Sequence, residues 1–255
     1  MQNLLSRPES NFKIKKNLKL NYNTHSLNLA HSDISGYNVC PTANQLSKQE
    51  NNSNKSNCSS CCVGYNGNTT IFSNVMESRI KKTIAYYQNR QSFLDSLVFE
   101  VERAIKKNKK NNINSSFRLN TYSDIRWENH IIEENKTIFE MFPDTIFYDY
   151  TKLENRIVPD NYQLTYSHYG DWNKTNIALR TMNVAIAFEK LPKYIIIDNI
   201  KYIVIDGDET DLRIDEKING KSVIVGLKFK GSKAELNNAI LEGFALSKNN
   251  SSLVY

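Results

Sequence analysis

The strongest constraint on the fold is a series of short apolar runs after residue 115, which alternate with helical or polar segments. The runs are rich in Ile, Val, Phe and Tyr, and they predict strands at residues 117–120, 146–150, 162–166, 184–188, 202–205 and 223–227. Strand, helix and strand in succession are typical of βαβ units. The pattern therefore predicts an α/β fold with a mostly parallel sheet or a partial (β/α) barrel.

Helix and turn signals frame these strands. A helix is predicted from Ser73, and a second one is predicted with Ser92 as its N-cap. The segments 127–142 and 171–182 also suit helices. A C-terminal hairpin is predicted around residues 195–208, with Asp198-Asn199 at its turn. The apolar residues that predict one face of the first helix are Val75, Ile80, Ile84 and Tyr87.

Composition divides the chain into three parts. Residues 1–24 are basic and polar, which predicts a flexible arm or one edge strand. Residues 25–232 are predicted to form a single α/β domain with a Cys-bearing loop near its N-terminus. An insertion of Asn, Ser, Lys and Gln at 41–57 interrupts this domain and cannot build a core. Residues 233–255 are predicted to be a C-terminal segment and tail.

Charge and hydropathy limit the classes of partner. The net charge of +6 permits nucleic-acid contact without requiring it, because Lys is spread along the chain. No run approaches the ~20 apolar residues of a membrane-spanning helix. The N-terminal sequence lacks the apolar core of a secretory signal. We therefore expect a cytoplasmic protein with reduced thiols and no membrane partner.

The cysteines suggest a metal site. Cys58, Cys61 and Cys62 lie together in a loop rich in Ser, Asn and Gly, and Cys40 lies upstream. Polar loops that concentrate thiols are typical of a bound metal or cluster. Because adjacent Cys61 and Cys62 would have difficulty facing one ion, we expect Cys40, Cys58 and one of that pair as ligands. Zinc is one candidate; a [4Fe–4S] cluster with an iron open to S-adenosylmethionine is the other.

Polar residues follow the first predicted strand of the series. Arg118, Asn120, Ser123 and Asp124 lie where that strand ends and a polar loop begins. The carboxyl ends of parallel strands carry the functional sites of α/β folds, so these residues are catalytic candidates. Ser123 or Asp124 is equally suited to cap a following helix.

Two further groups of polar residues follow later strands. Lys152 is a catalytic candidate that could bind an anion, and Thr165 and Ser167 are cofactor-binding candidates at the next strand end. Asp206 is a cofactor-binding candidate and Asp208 a catalytic one, within an acidic run that could hold Mg²⁺ or Ca²⁺. The structural alternative is an ordinary surface lysine and a turn held by Asp side chains and salt bridges.

A set of motifs resembles bacteriophage proteins related to the "gene product 88" family. The resemblance runs in order from about residue 25 to 232 and also includes a C-x3-C pair. Its motifs are SGYNVCP at 35–41, RLNTYSDIRWE at 118–128, FPDTIFYDYTK at 142–152, LTYS at 164–167, MNVAIAF at 182–188, DGDETDLR at 206–213 and IVGLKFKG at 224–231.

The resemblance implies an α/β fold similar to the partial barrel of radical S-adenosylmethionine enzymes, in the interior of a host cell. It places the matching thiols at Cys40, Cys58 and Cys62, and leaves Cys61 as the extra one. It names no reaction. Two functions follow as hypotheses: an iron–sulfur enzyme acting on a polar or nucleic-acid-related substrate, or a zinc-stabilised nucleic-acid-binding or accessory protein without catalytic activity.

Overall fold

The computed structural model describes residues 3–41 and 73–255. Residues 42–57 of the predicted insertion and three of the predicted metal-ligand candidates (Cys58, Cys61 and Cys62) lie outside the described residues. The described chain forms two compact units. The first comprises residues 3–41, 73–149 and 157–163, and the second comprises residues 150–156 and 164–255.

The first unit contains a mainly parallel group of strands. The strands are β1 Leu5–Ser6, β2 Tyr22–Leu27, β3 Asn114–Arg118 and β4 Ile146–Thr151. β2 and β3 are parallel, β3 and β4 are parallel, and β1 pairs antiparallel with β2. The register sets His25 opposite Phe117 and Phe117 opposite Phe147. Phe147 also packs edge to face on Phe139, with ring centroids 5.0 Å apart, so aromatic side chains fill this core.

Two long helices, α3 and α4, cover this unit. The helices are α1 Phe12–Lys15, α2 Ser32–Ser35, α3 Ser73–Gln88, α4 Arg90–Lys110 and α5 Ile138–Met141. The predicted apolar periodicity of α4 is confirmed, because Phe93, Leu97 and Val101 are buried on one face. Its predicted N-cap, Ser92, is wrong: the helix begins at Arg90, almost continuous with α3, and Ser92 is an exposed interior position.

The buried face of α3 differs from the predicted apolar one. Val75 is exposed, whereas polar and charged side chains of this helix are buried. The weak apolar pattern of α3 hid this orientation, because tertiary contacts rather than hydrophobicity select the face. The buried residues are Arg79, Lys82, Thr83 and Tyr86.

The N-terminal residues form ordered elements in their described part. β1 and β2 flank the helix α1 and two 3-10 turns, at Pro8–Ser10 and Lys16–Leu20. Glu100 accepts the backbone N–H of Leu4 at 2.7 Å and that of Leu5 at 2.9 Å. Lys82 Nζ donates to the carbonyl of Leu4 at 2.8 Å. These side chains on α3 and α4 hold the N-terminal strand in place.

The second unit carries the remaining strands and two helices. The strands are β5 Tyr162–Ser167, β6 Asn183–Phe188, β7 Tyr194–Ile197, β8 Ile200–Asp206, β9 Ile224–Lys228, β10 Ala245–Leu246 and β11 Leu253–Val254, and the helices are α6 Trp172–Ala178 and α7 Lys233–Leu241. β5–β6, β6–β9, β8–β9 and β6–β10 are parallel, while β7 pairs antiparallel with β8 and β11. The α/β class and the mostly parallel sheet are therefore confirmed.

The predicted hairpin is confirmed at β7 and β8. Ile197 pairs with Ile200, and the two residues between them, Asp198 and Asn199, have φ values of 48° and 61°. Positive φ at both positions is the geometry of a type I′ turn, which favours Asn and Asp among non-glycine residues.

The helix predicted over 127–142 is wrong as one element. Residues Trp127–Asn129 form a 3-10 turn, and α5 begins only at Ile138. Glu134 and Asn135 between them have φ values of 48° and 59°, which an α-helix excludes. Among the described residues, no helix is long and apolar enough to cross a bilayer.

Candidate functional site

Asn120 organises the loop that follows β3. Its side-chain Oδ1 accepts three hydrogen bonds and its Nδ2 donates to the carbonyl of Ile125 at 2.9 Å. The side chain is therefore the centre of the loop, and nearly all of its hydrogen-bonding capacity is used inside the protein. The groups that donate to Oδ1 are Ser123 Oγ at 2.7 Å, Ile125 N at 3.0 Å and Trp127 Nε1 at 3.1 Å.

Asp149 on β4 fixes the start of the same loop. Its carboxylate is fully buried and accepts the backbone N–H groups of Leu119 at 3.2 Å and Asn120 at 2.8 Å. Tyr162 donates its hydroxyl at 3.0 Å, and Arg118 Nε lies 3.9 Å away. Hydrogen bonds to a charged acceptor are the strong ones, so Asp149 ties strand and loop together.

Sequence reasoning did not assign Asp149 a site. It is the one acidic residue in the otherwise uncharged strand β4, and this position was the feature of the sequence that could have indicated a buried functional carboxylate. An ionised carboxylate is buried only where donors or cations compensate it. The donors come from residues about 30 positions away along the chain, so no local pattern identified them.

Cys40 lies beside this loop. Its half-buried thiol donates to the carbonyl of Tyr122 at a sulfur–oxygen distance of 3.6 Å. The backbone N–H of Asp124 donates to the carbonyl of Val39 at 2.9 Å, which ties the two segments together. Since the loop leaves the carboxyl end of β3, which runs parallel to β2 and β4, the thiol lies at that edge of the first unit.

Neither Ser123 nor Asp124 caps a helix. Both are buried, and the next element is the 3-10 turn at Trp127–Asn129, whose N-cap is Arg126. The capping alternative is therefore wrong, because the loop turns these side chains inward before the 3-10 turn begins.

The predicted metal centre stays a prediction. Cys58 and Cys62, two of its three thiolates, lie outside the described residues, and so does the extra Cys61. Among residues 3–41 and 73–255, no group of three or more His, Cys, Asp or Glu side chains is placed to hold a metal ion.

In the second unit, Lys152 and Ser167 are brought together. Lys152 Nζ donates to the carbonyl of Ser167 at 2.9 Å, to its hydroxyl at 2.8 Å and to the carbonyl of His168 at 3.4 Å. Thr165 lies two residues earlier on β5, opposite Asn183 of β6. With three acceptors around its three N–H groups, the Lys152 ammonium acts here as a brace between strand ends.

His168, beside this brace, was not singled out as a candidate. Its Nδ1 lies 2.7 Å from Thr175 Oγ1, and its Nε2 lies 3.1 Å from the carbonyl oxygen of Gly243. Burial, with repulsion from Lys152, lowers the pKa of His168 to about 4. The imidazole is therefore neutral at pH 7.

Asp206 and Asp208 lie together in the turn after β8. Asp206 Oδ1 accepts the backbone N–H of Asp208 at 2.8 Å. Asp208 Oδ1 forms a 2.7 Å salt bridge with Lys230, and its Oδ2 accepts the N–H of Lys228 at 3.0 Å. A Cβ on Gly207 would come within 2.5 Å of Val225 Cγ1, so the turn also needs glycine there. This geometry matches the structural alternative of a turn held by Asp side chains and salt bridges.

The nine predicted catalytic and cofactor-binding residues thus fall into three groups. Their proposed roles stay predictions, but their positions are defined. The first group lies at the end of β3 and in the loop that contacts Cys40, in the first unit, and the other two lie in the second unit. The groups are Arg118, Asn120, Ser123 and Asp124; Lys152, Thr165 and Ser167; and Asp206 with Asp208.

Comparison with known proteins gives one informative result. The family model described as Gene product 88 matches residues 2–244, which is nearly the whole chain. No curated protein and no solved structure matches the chain with significance. The expected family resemblance is therefore confirmed, and the protein belongs to the Gene product 88 family.

Proposed function

We propose that the protein is an iron–sulfur enzyme of the radical S-adenosylmethionine type, acting on a polar or nucleic-acid-related substrate. The finer fold expected for it is a partial (β/α) barrel with a Cys-bearing loop near its N-terminus. The observation that carries the proposal is the position of the Cys40 thiol, 3.6 Å from the carbonyl oxygen of Tyr122 in the loop after β3.

The Cys40 thiol lies at the edge of the sheet where α/β folds usually place their functional sites. The carboxyl ends of parallel strands are where α/β folds place their reaction centres, because the loops there can vary without disturbing the sheet. A half-buried thiol at this edge is accessible enough to act as a ligand and is held by a loop whose hydrogen bonds are internally satisfied. Cluster ligands need such preorganised support.

The donor set fits an iron–sulfur centre. Cys40, with Cys58 and Cys62, would supply three thiolates, and thiolates are the normal ligands of such clusters. When bound, a three-thiolate [4Fe–4S] cluster leaves one iron for S-adenosylmethionine and supplies radical chemistry. Around it, Asp149 and Asn120 would hold the loop rigid, and Arg118 would place a cation at the strand end.

Anaerobic purification followed by iron and sulfide analysis tests the proposal. We expect a brown protein with about four iron atoms and four sulfides per chain after reconstitution. Cys40→Ser and Cys62→Ser should each lose most of the iron, whereas Cys61→Ser, the matched control, should keep it. A colourless protein without iron after reconstitution contradicts the proposal.

The zinc alternative gives a different result in the same experiment. Zinc would be retained in place of iron, and nucleic-acid affinity would fall as salt is raised. A protein with neither metal would support the accessory function without a bound metal.

A further inference from the structure

Arg79 is a buried cation in the first unit. Its side chain lies on α3 and is only 7% exposed. Its Nε atom is fully buried and has no hydrogen-bond partner among the described residues. Among the described residues, its guanidinium forms no hydrogen bond or ion pair with a carboxylate. An arginine is almost never this buried unless an acceptor compensates its charge.

The contact that Arg79 does make is with an aromatic ring. The guanidinium carbon lies 4.0 Å from the ring centroid of Tyr122. Stacking on a ring holds the planar group in one orientation and does not use its in-plane N–H donors, of which Nε has no acceptor among the described residues. The arrangement therefore presents an oriented set of donors rather than a satisfied ion pair.

A second unsatisfied group lies in the loop after β3, which contains Tyr122. Thr121 Oγ1 is buried and has no hydrogen-bond partner among the described residues. Thr121 directly precedes Tyr122, whose ring stacks on Arg79 and whose carbonyl accepts the Cys40 thiol. Unsatisfied buried polar groups are uncommon in folded proteins, and two of them on adjoining segments indicate a ligand that supplies the missing partners.

The charges near Arg79 favour an anion. Its charge lowers the pKa of Lys82 and His31, in both cases after burial as the larger cause. Two acids lie within electrostatic range of these neighbours. Glu100 already accepts two backbone N–H groups, and Asp33 is exposed on α2. Neither carboxylate forms an ion pair with Arg79 among the described residues.

We propose that Arg79 and Thr121 bind an oxyanion of a small ligand, a carboxylate or a phosphate, beside Cys40. The guanidinium fork matches either group, since both offer two oxygens at the spacing of two N–H donors. The threonine hydroxyl donates a further hydrogen bond. This site does not depend on the iron–sulfur proposal, because none of its residues is a predicted metal ligand.

Anion-dependent thermal stabilisation of the metal-free full chain tests the site. Sodium phosphate and sodium acetate are titrated separately, with ionic strength held constant by sodium chloride, and Kd is obtained from the rise in Tm. We expect at least one anion to bind, and Arg79→Gln to weaken it tenfold or more. The stronger anion identifies the ligand group as phosphate or carboxylate.

Arg90→Gln is the matched control. Arg90 also stacks on a tyrosine, with its guanidinium carbon 4.5 Å from the Tyr86 ring centroid, but it is exposed. It should leave the anion affinity unchanged. No stabilisation of the wild type by either anion overturns the proposal, as does an equal loss in both variants.

Two more variants separate ligand binding from a structural role. Arg79→Met removes a buried cation that has no carboxylate partner among the described residues, so without anion its Tm should equal or exceed that of the wild type. A lower Tm with unchanged anion affinity would assign Arg79 to structure instead. If the Gln variant does not fold, Arg79→Lys should still weaken binding severalfold, because the ammonium lacks the guanidinium fork. Thr121→Val should also weaken binding.

Discussion

The carboxylate of Asp149 accepts the backbone N–H of Asn120 at 2.8 Å, so a side chain of one strand determines where the loop of its neighbour begins. Asn120 in turn holds the rest of that loop through its amide. The conformation of the loop therefore depends on the buried carboxylate of Asp149 and, through it, on the side-chain amide of Asn120. This dependence makes the stability of the loop testable one residue at a time.

Replacing Asp149 with Asn should destabilise the protein by about 2–4 kcal/mol, because a neutral amide cannot accept the same charge-assisted hydrogen bonds and removes the negative charge 3.9 Å from Arg118 Nε. Urea unfolding monitored by circular dichroism measures the loss. Asp144→Asn, at an exposed position four residues before Tyr148, is the control and should change stability by less than about 0.5 kcal/mol. Equal effects in the two variants would contradict the role of Asp149.

Replacing Asn120 with Ala should cost about 2–4 kcal/mol, since it leaves several buried donors unsatisfied. One of them is Trp127 Nε1, which donates to Asn120 Oδ1. In a Trp172→Phe background, the emission of Trp127 should therefore change with the variant. Ser123→Ala removes a single hydrogen bond and should cost about 1 kcal/mol. An Asn120→Ala variant no less stable than Ser123→Ala would show that Asn120 is not the centre of the loop.

Stability should fall as the pH falls from about 6.5 to 4. Burial lowers the native pKa of His168 to about 4, from its ordinary value of 6.5. The unfolded chain therefore takes up a proton before the native one does, and the stabilisation present above pH 6.5 is lost toward pH 4, by about 3 kcal/mol in full. Urea midpoints measured at pH 7, 6, 5 and 4 trace this loss.

The variant His168→Gln isolates this contribution. The pKa of His25 is also lowered to about 4, so the wild type combines both residues, and the variant should show a shallower pH dependence that retains the His25 part. An unchanged slope would mean that His168 titrates normally in the folded protein.

The hairpin turn offers a stabilising substitution. Asn199 has a φ of 61°, where glycine has no steric penalty, so Asn199→Gly should stabilise the protein by up to about 1 kcal/mol. Asn199→Val should destabilise it by at least as much, because a β-branched residue resists positive φ. Thermal unfolding of the three proteins should rank them Gly, Asn, Val. The reverse order would indicate that the turn has another geometry.

Elements that depend on local pattern could be predicted from the sequence. Phe93, Leu97 and Val101 recur at helical spacing, and α4 buries them. The Asp198-Asn199 pair predicted its own turn, because few residues tolerate positive φ at both positions. The strands could be predicted because their runs of Ile, Val, Phe and Tyr are also a local feature of the sequence.

Features that depend on distant partners could not be predicted. The hydrogen bonds of Asn120 within its loop could not be foreseen, since a polar side chain at a strand end has the same sequence signature whether it contacts a substrate or a loop. Arg79 lies on a helix whose apolar pattern pointed to another face. The burial of both residues is decided by segments far along the chain, and local periodicity carries no information about those contacts.

The clamp on the N-terminal strand has a consequence for biosynthesis. Leu4 is bonded to Glu100 across 96 positions of the chain. At a synthesis rate of about 5–20 residues per second, Glu100 is made roughly 5–20 seconds after Leu4. Until then β1 can pair with β2 but lacks this clamp, so during that interval it remains available to chaperones.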